Sequence, residues 1–318
     1  MNRQKRVRVL LFGYGELAAE AIRVLLDVGA EIVGVVLPIN RQNLDVEFTK
    51  DIARKNNLAI ITQPLKKDNF EFIKQVYKLK PDLIFIWSYS MILPVEIIKI
   101  PVLGCINMHG GLLPEYQGAH VMGWALVNGE KETGQTLHYI IDEGIDTGPI
   151  IAQEKFAIDF QDDANDIRKK LKKAGVKLIH RWWNSIILNC APRIIQDKSK
   201  MKYYRLRTPD DGLIDWSYNN IKVYNIIRTH VKPWSGAYSF CKNKKILIWK
   251  AKPGISNVNC EAKPGYILDV SSDEIQVVTG DGLLCIYELE MDGNVYEIGT
   301  LEKLNFLKGA ILGVENNI

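Results

Sequence analysis

Apolar positions in residues 7–106 fall into short runs that alternate with stretches of helical spacing. Residues 7–12 (VRVLLF) form an apolar run ended by Gly13-Tyr14-Gly15, and residues 16–26 repeat apolar positions near the 3.6-residue period. A second strand is expected at 31–36, a more polar helix at 45–57, a short strand at 59–61 and a helix at 68–78. Residues 82–87 (DLIFIW) are β-rich and apolar on both faces, the pattern of a central parallel strand, and 103–106 adds one more. Strands separated by helical stretches imply βαβ units, so the fold expected is α/β: a Rossmann-like, mostly parallel sheet with helices on both faces. A long amphipathic helix is expected at 164–188, and the polar stretch 189–204 reads as a linker. Past Pro209 the pattern changes to a short helix at 219–230 and five short strands near 236–240, 245–250, 265–270, 274–279 and 282–289. That spacing predicts a small OB-like β-barrel. The expected domains are therefore 1–190, a linker at 191–205, and a β domain at 206–318.

Length and composition narrow the class without fixing it. The 318 residues suffice for two ordinary domains, and 47% hydrophobic with 25% charged residues is ordinary for a soluble globular chain. The net charge of +4 comes with scattered basic residues, which argues against a dedicated nucleic-acid binder. The basic opening at 2–8 is followed by too short an apolar run for a signal segment, and no apolar run approaches a membrane span. Five widely spaced cysteines (Cys105, Cys190, Cys241, Cys260, Cys285) without a CxxC pair read as reduced thiols of a cytoplasmic protein.

Candidate chemistry concentrates between residues 105 and 147. The strand is expected to end at Ile106 and break into a turn carrying Asn107, His109, Gly110 and Gly111. In extended chain, positions i and i+2 project to one side, so the Asn107 amide and the His109 ring can face one substrate atom. Asp146 lies in a glycine-flanked turn after another strand, where it can reach the same crevice. A carbonyl attacked by an amine gains negative charge on oxygen, which an amide donor stabilises, while an imidazole can take and return the proton. A neighbouring carboxylate would hold that ring. Cys105 lies inside a strand and no GxSxG occurs, so direct transfer is more natural than a covalent acyl-enzyme. Two other readings are weaker. The turn at Gly13 lacks the third glycine of GxGxxG, with Ala18 in its place, and His109, His120 and His138 show no metal-ligand spacing. His138, inside a strand, reads as structural.

These residues resemble the N10-formyltetrahydrofolate-dependent formyltransferases. The resemblance is carried by Asn107-Met108-His109-Gly110-Gly111-Leu112-Leu113-Pro114-Glu115-Tyr116-Gln117-Gly118, by Gly129-Glu130-Lys131-Glu132-Thr133-Gly134-Gln135-Thr136-Leu137-His138, and by Asp146-Thr147-Gly148-Pro149-Ile150. In the second half, residues 207–216 (RTPDDGLIDW) and 232–237 (KPWSGA) look like the carboxy-terminal domain of the longer members. The resemblance implies a catalytic set of Asn107, His109 and Asp146. It also implies a folate contact made by Ser88, Tyr89, Ser90, Met91 and Ile92 with Asp142, Gly144 and Ile145. Acceptor contacts would come from Gly13, Tyr14, Glu16, Gly110, Gly111 and Tyr116. The formyl donor would be N10-formyltetrahydrofolate, with no metal.

Two branches of that family carry the second domain, one formylating methionyl-tRNA and the other amino sugars on nucleotides. The tRNA branch typically has a longer basic insertion after the second strand, whereas residues 38–48 (PINRQNLDVEF) have none. Thr136-Leu137-His138 also resembles the sugar branch, where the tRNA branch tends to Thr-Ile-Met. The expected function is therefore transfer of a formyl group to the primary amine of a dTDP-, UDP- or GDP-linked amino sugar, as in lipopolysaccharide or O-antigen biosynthesis. Methionyl-tRNA formylation and a non-catalytic binding module, with the barrel as a docking or homodimer surface, stand as alternatives. The chain departs from the family pattern at Gly111 (usually Ser), Gln117 (usually Arg) and 120–122, where a proline is expected.

Overall fold

A computed structural model describes residues 6–41, 44–65, 69–256 and 262–313. The basic opening at 2–5, the helix start expected at residue 68 and Cys260 lie outside the described residues. The first half runs β1 (Arg8–Phe12), α1 (Gly15–Asp27), β2 (Glu31–Pro38), α2 (Leu44–Lys55), β3 (Ile60–Gln63), α3 (Asn69–Leu79), β4 (Leu83–Trp87), α4 (Val95–Ile98) and β5 (Cys105–His109). It continues through β6 (Gln117–Gly118), α5 (Val121–Asn128), β7 (Glu132–Ile140), β8 (Ile150–Ala157), α6 (Ala164–Ile187) and β9 (Tyr203–Tyr204). Helix α7 (Asn220–Thr229) then leads into β10 (Ala237–Cys241), β11 (Lys244–Ser256), β12 (Ile267–Val270), β13 (Ile275–Val278), β14 (Gly282–Met291) and β15 (Asn294–Glu297).

Seven strands form one sheet in the order β3-β2-β1-β4-β5-β7-β8. The pairs β2–β3, β1–β2, β1–β4 and β4–β5 are parallel, as the βαβ pattern predicts. Period-two alternation sorts the side chains onto two faces. Val9, Leu11, Val35, Leu83, Phe85 and Trp87 join α1 and α6 residues such as Ile22, Leu25, Leu178 and Trp183 in one core. Leu10, Phe12, Val36, Ile84 and Ile86 pack with Phe72, Val76 and Ile97 in another. Each such side chain contributes about 1.5–3 kcal/mol by leaving water, which is why β4, buried at all five positions, sits mid-sheet.

Two departures matter for the site. Strand β5 continues through His109 instead of ending at Ile106, so Asn107 and His109 are in regular extended chain. Strand β7 pairs with β5 antiparallel, Cys105 opposite Ile140 and Asn107 opposite His138. The loop after β7 thus leaves beside the start of β5 and must fold back to reach His109.

The chain divides into two compact units. One comprises the residues up to 121 with 132–156 and 169–204; the other comprises 122–131, 157–168 and 205 onward. In the second unit, β10-β11-β14-β13-β12 form an antiparallel sheet with β15 added on β14, a strand the sequence pattern did not reveal. Residues 310–313 close it. Gly313 exchanges hydrogen bonds with Phe240 at the β10 edge, and Leu312 N donates to Gly265 O beside β12. Pairing both edges removes the exposed backbone an open sheet would carry. The interior holds Ile214, Trp216, Ile227, Ile248, Ile286 and Leu304. Among the described residues, no helix is long and apolar enough to cross a membrane.

Candidate active site

The three side chains nominated from sequence meet. His109 Nδ1 lies 3.4 Å from Asp146 Oδ2, and the Asn107 amide nitrogen donates to Asp146 Oδ1 at 3.3 Å. Asn107 and His109 reach one side of β5 because they are two residues apart in a strand. Asp146 arrives from the loop between β7 and β8, which doubles back over them. The turn that achieves this puts Asp146 at φ 56°, a left-handed conformation uncommon for a residue with a side chain. Gly148 permits it: a Cβ there would stand 1.8 Å from the Tyr139 carbonyl oxygen.

The polar partners around the set fix most of its hydrogens. His109 Nε2 donates to the Tyr116 carbonyl at 2.6 Å. Both ring nitrogens therefore face oxygen atoms. The Gly118 amide donates to Asp146 Oδ2 at 3.0 Å. His138, read from sequence as structural, proves to be a neighbour of the site. Its Nδ1 donates to Tyr139 O at 3.0 Å, and its Nε2 lies 3.1 Å from the Asn107 amide nitrogen and 3.4 Å from Asp146 Oδ1.

Asp146 is largely buried, and burial, the strongest single influence, pushes its carboxyl upward. The His109 charge, the His138 hydrogen bond and charge, and the Gly118 amide together outweigh it and hold the group well below the usual carboxylate range. The site thus keeps an anion beside two imidazoles.

The loop 88–92, nominated as a folate contact, follows β4. Ser88 is at φ 62° and its carbonyl accepts from Tyr14 N at 3.0 Å, which links it to the turn after β1. The buried Gln63, the last residue of β3, shapes this loop. Its amide donates to Ile92 O and its carbonyl accepts from Tyr89 OH, both at 2.9 Å. Ser90 Oγ donates to Asn40 Oδ1 at 2.8 Å. Burial pushes the Tyr89 phenol upward, so it stays a donor. Held by side chains, the loop's amides at 89–92 make no backbone hydrogen bond among the described residues. Together with exposed Ile92 it therefore presents peptide groups beside apolar surface, the needs of a pterin edge. Asp142, Gly144 and Ile145 are exposed on the β7–β8 loop, where Gly144 N donates to Asp142 Oδ1 at 2.8 Å.

The acceptor nominees divide. Tyr116 lies against His109 through its carbonyl, and Gly110 directly follows that histidine. Gly111 is required by packing, since a Cβ there would stand 2.8 Å from Val121 Cγ2 and 3.0 Å from Tyr116 Cβ. Gly13 is equally close-packed, 2.3 Å from Trp87 O by the same measure, while Tyr14 is half-buried and Glu16 exposed. Sequence reasoning also missed Gln196. Its amide donates to Asp146 O and Gly148 O at 2.7 Å each, and Gln117 Nε2 donates to Asp146 O at 3.3 Å.

Comparisons with known proteins place the chain in a family. A family model described as "Formyl transferase" matches residues 5–182, and one described as "Formyl transferase, C-terminal domain" matches residues 207–299. The chain is 33% identical over 290 residues to a methionyl-tRNA formyltransferase of Clostridioides difficile, covering 90% of this chain and 92% of that protein. It is 31% identical to the bifunctional polymyxin resistance protein ArnA of Wigglesworthia glossinidia brevipalpis, covering 98% of this chain but only 47% of that protein. This chain thus spans about half of that relative's length. An N-formyltransferase from Helicobacter canadensis, solved with folinic acid and dTDP-3-aminofucose, superposes with a TM-score of 0.66 at 22% identity, covering 88% of this chain and 98% of that one. A 4-N formyltransferase from Francisella tularensis gives 0.59 at 20% identity over 73% and 91%. At such identities the two structures establish the fold. With both family models matched in order along the chain, this protein belongs to the formyl transferase family.

Proposed function

We propose that the protein transfers a formyl group from N10-formyltetrahydrofolate to the primary amine of a nucleotide-linked amino sugar. The observation that carries the chemistry is the meeting of Asn107, His109 and Asp146 from β5 and the returning β7–β8 loop. The folate donor supplies an electrophilic formyl carbon on its N10. In the transfer a bond forms between the acceptor nitrogen and that carbon, and the carbon–N10 bond breaks. The Asn107 amide would donate an N–H to the oxygen that gains charge, an interaction worth roughly 3 kcal/mol when one such donor is lost. With Nδ1–H held toward Asp146 and Nε2 unprotonated and turned away from Tyr116 O, His109 takes the acceptor's proton on Nε2 and returns it to the departing nitrogen. Asp146, ionised, holds Nδ1 and orients the ring. Ser88 to Ile92, with Asp142, Gly144 and Ile145, would hold the folate; Gly13, Tyr14, Glu16, Gly110, Gly111 and Tyr116 would face the acceptor.

The acceptor class is supported by the short connection 39–43 between β2 and α2, where the tRNA-formylating branch carries a basic insertion. It is supported also by the Helicobacter canadensis structure, whose ligands are a folate and a dTDP-amino sugar. Methionyl-tRNA is the second reading, favoured by the naming of relatives at 33% identity. The purified chain should convert dTDP-, UDP- or GDP-linked amino sugars to formamides with the folate donor, followed by mass spectrometry. His109→Gln should lower kcat by about 100-fold or more. Formylation of methionyl-tRNA alone would refute the acceptor, and a His109 variant at full rate would refute the chemistry.

A further inference from the structure

We infer that Gln196 is a positioning residue that clasps the Asp146 turn and so aims the carboxylate at His109; this rests on the reading of the site given above. Asp146 cannot hold its place by local structure alone. It stands at φ 56° in a loop that reverses over the sheet, six residues beyond the end of β7. Such a conformation persists only where the surroundings over-determine it. Gln196, fifty residues further on, supplies that constraint by donating to Asp146 O and to Gly148 O, both at 2.7 Å.

Gln196 is itself anchored. Ile194 and Ile150 exchange backbone hydrogen bonds at 2.8 and 2.9 Å, which ties the chain just before Gln196 to the first residue of β8. The side chain is 5% exposed, and its Oε1 is buried without a hydrogen-bond partner. A buried amide that spends its donors on one turn and leaves its own oxygen unpaired is poorly arranged for folding alone. The arrangement is intelligible if the turn's position is what it secures. Gln117, where the family usually has arginine, adds the second amide on the Asp146 carbonyl at 3.3 Å.

Gln196→Met keeps the volume and removes the donor. It should lower kcat about tenfold or more while KM for the folate donor changes less than about twofold, since a small misplacement of a reacting group costs rate before it costs binding. The same substitution in an Asp146→Ala background should change kcat less than about twofold, because no carboxylate remains to be aimed. Wild-type kcat in Gln196→Met, or an equal loss in both backgrounds, would overturn the clasp. Asp146→Ala at full kcat would instead overturn the site reading itself, and the clasp with it. Gln196→Lys, whose ammonium can still donate to both carbonyls, should recover part of the rate; no recovery with a fully folded variant would count against the clasp.

Discussion

Single residues carry most of what is distinctive here, and His230 carries a measurable consequence. Its Nδ1–H donates to Ile226 O at 2.8 Å, so Nε2 must accept from the Arg207 guanidinium at 2.5 Å. Burial, and then the Arg207 charge, push its pKa from the ordinary 6.5 down to about 4. The folded state therefore binds the neutral ring, whereas the unfolded chain takes up a proton near the ordinary value. Stability from this group is fully present above pH 6.5 and is lost as pH falls toward 4, on the order of 3 kcal/mol in all. Urea denaturation of the whole chain across that range should show the decline, and His230→Gln should flatten it. The candidate set was legible at this scale, because Asn107, His109 and Asp146 sit in a spaced pattern with glycines around them. Gln196 was not, since a glutamine after two isoleucines in a polar stretch carries no local sign of its target.

Elements decide whether those residues can meet. Parallel β1, β2, β3, β4 and β5 were readable from their alternation with helices, but nothing within β7 states that its partner β5 runs the other way. Pairing direction depends on how the chain returns, which is set by the whole sheet. The β7–β8 loop is the element most exposed to error. Gly148→Ala would press a Cβ to 1.8 Å from Tyr139 O and displace the turn carrying Asp146. It should lower stability by about 1–3 kcal/mol and remove most activity together, as thermal melting and a formyl-transfer assay would register. Gly313→Ala, where an added Cβ meets nothing within 4 Å, should stay within about 0.5 kcal/mol of wild type.

Over the whole molecule, the two compact units interleave along the chain. Helix α5 and residues 157–168 belong to the second unit. Trp124 Nε1 donates to Arg205 O at 2.9 Å, Tyr224 OH to Phe160 O at 3.0 Å, and Arg228 to Asp162 O at 2.9 Å. Residues 191–204, by contrast, go with the first unit, where Tyr203 and Tyr204 in β9 pair with β6. Net charge bears on the acceptor at this scale. A nucleotide sugar offers two phosphate charges, so raising salt from about 50 to 200 mM should weaken its apparent affinity roughly tenfold at most. An acceptor gripped along a nucleic-acid backbone would lose about a thousandfold or more. Initial rates at several salt concentrations distinguish the two.

What the sequence determined by itself was local: the period of each strand and helix, the order of the elements, and a spacing of amide, imidazole and carboxylate specific enough to resemble one family. Those features are properties of neighbouring residues and survive without knowledge of the fold. Only the tertiary structure decided that β5 runs on through His109, that β7 opposes it, and that Gln196, Gln63 and His138 surround the site. Each depends on groups far apart in the chain meeting across a sheet or a turn, and a linear pattern holds no record of such a meeting until packing and hydrogen bonding select one arrangement.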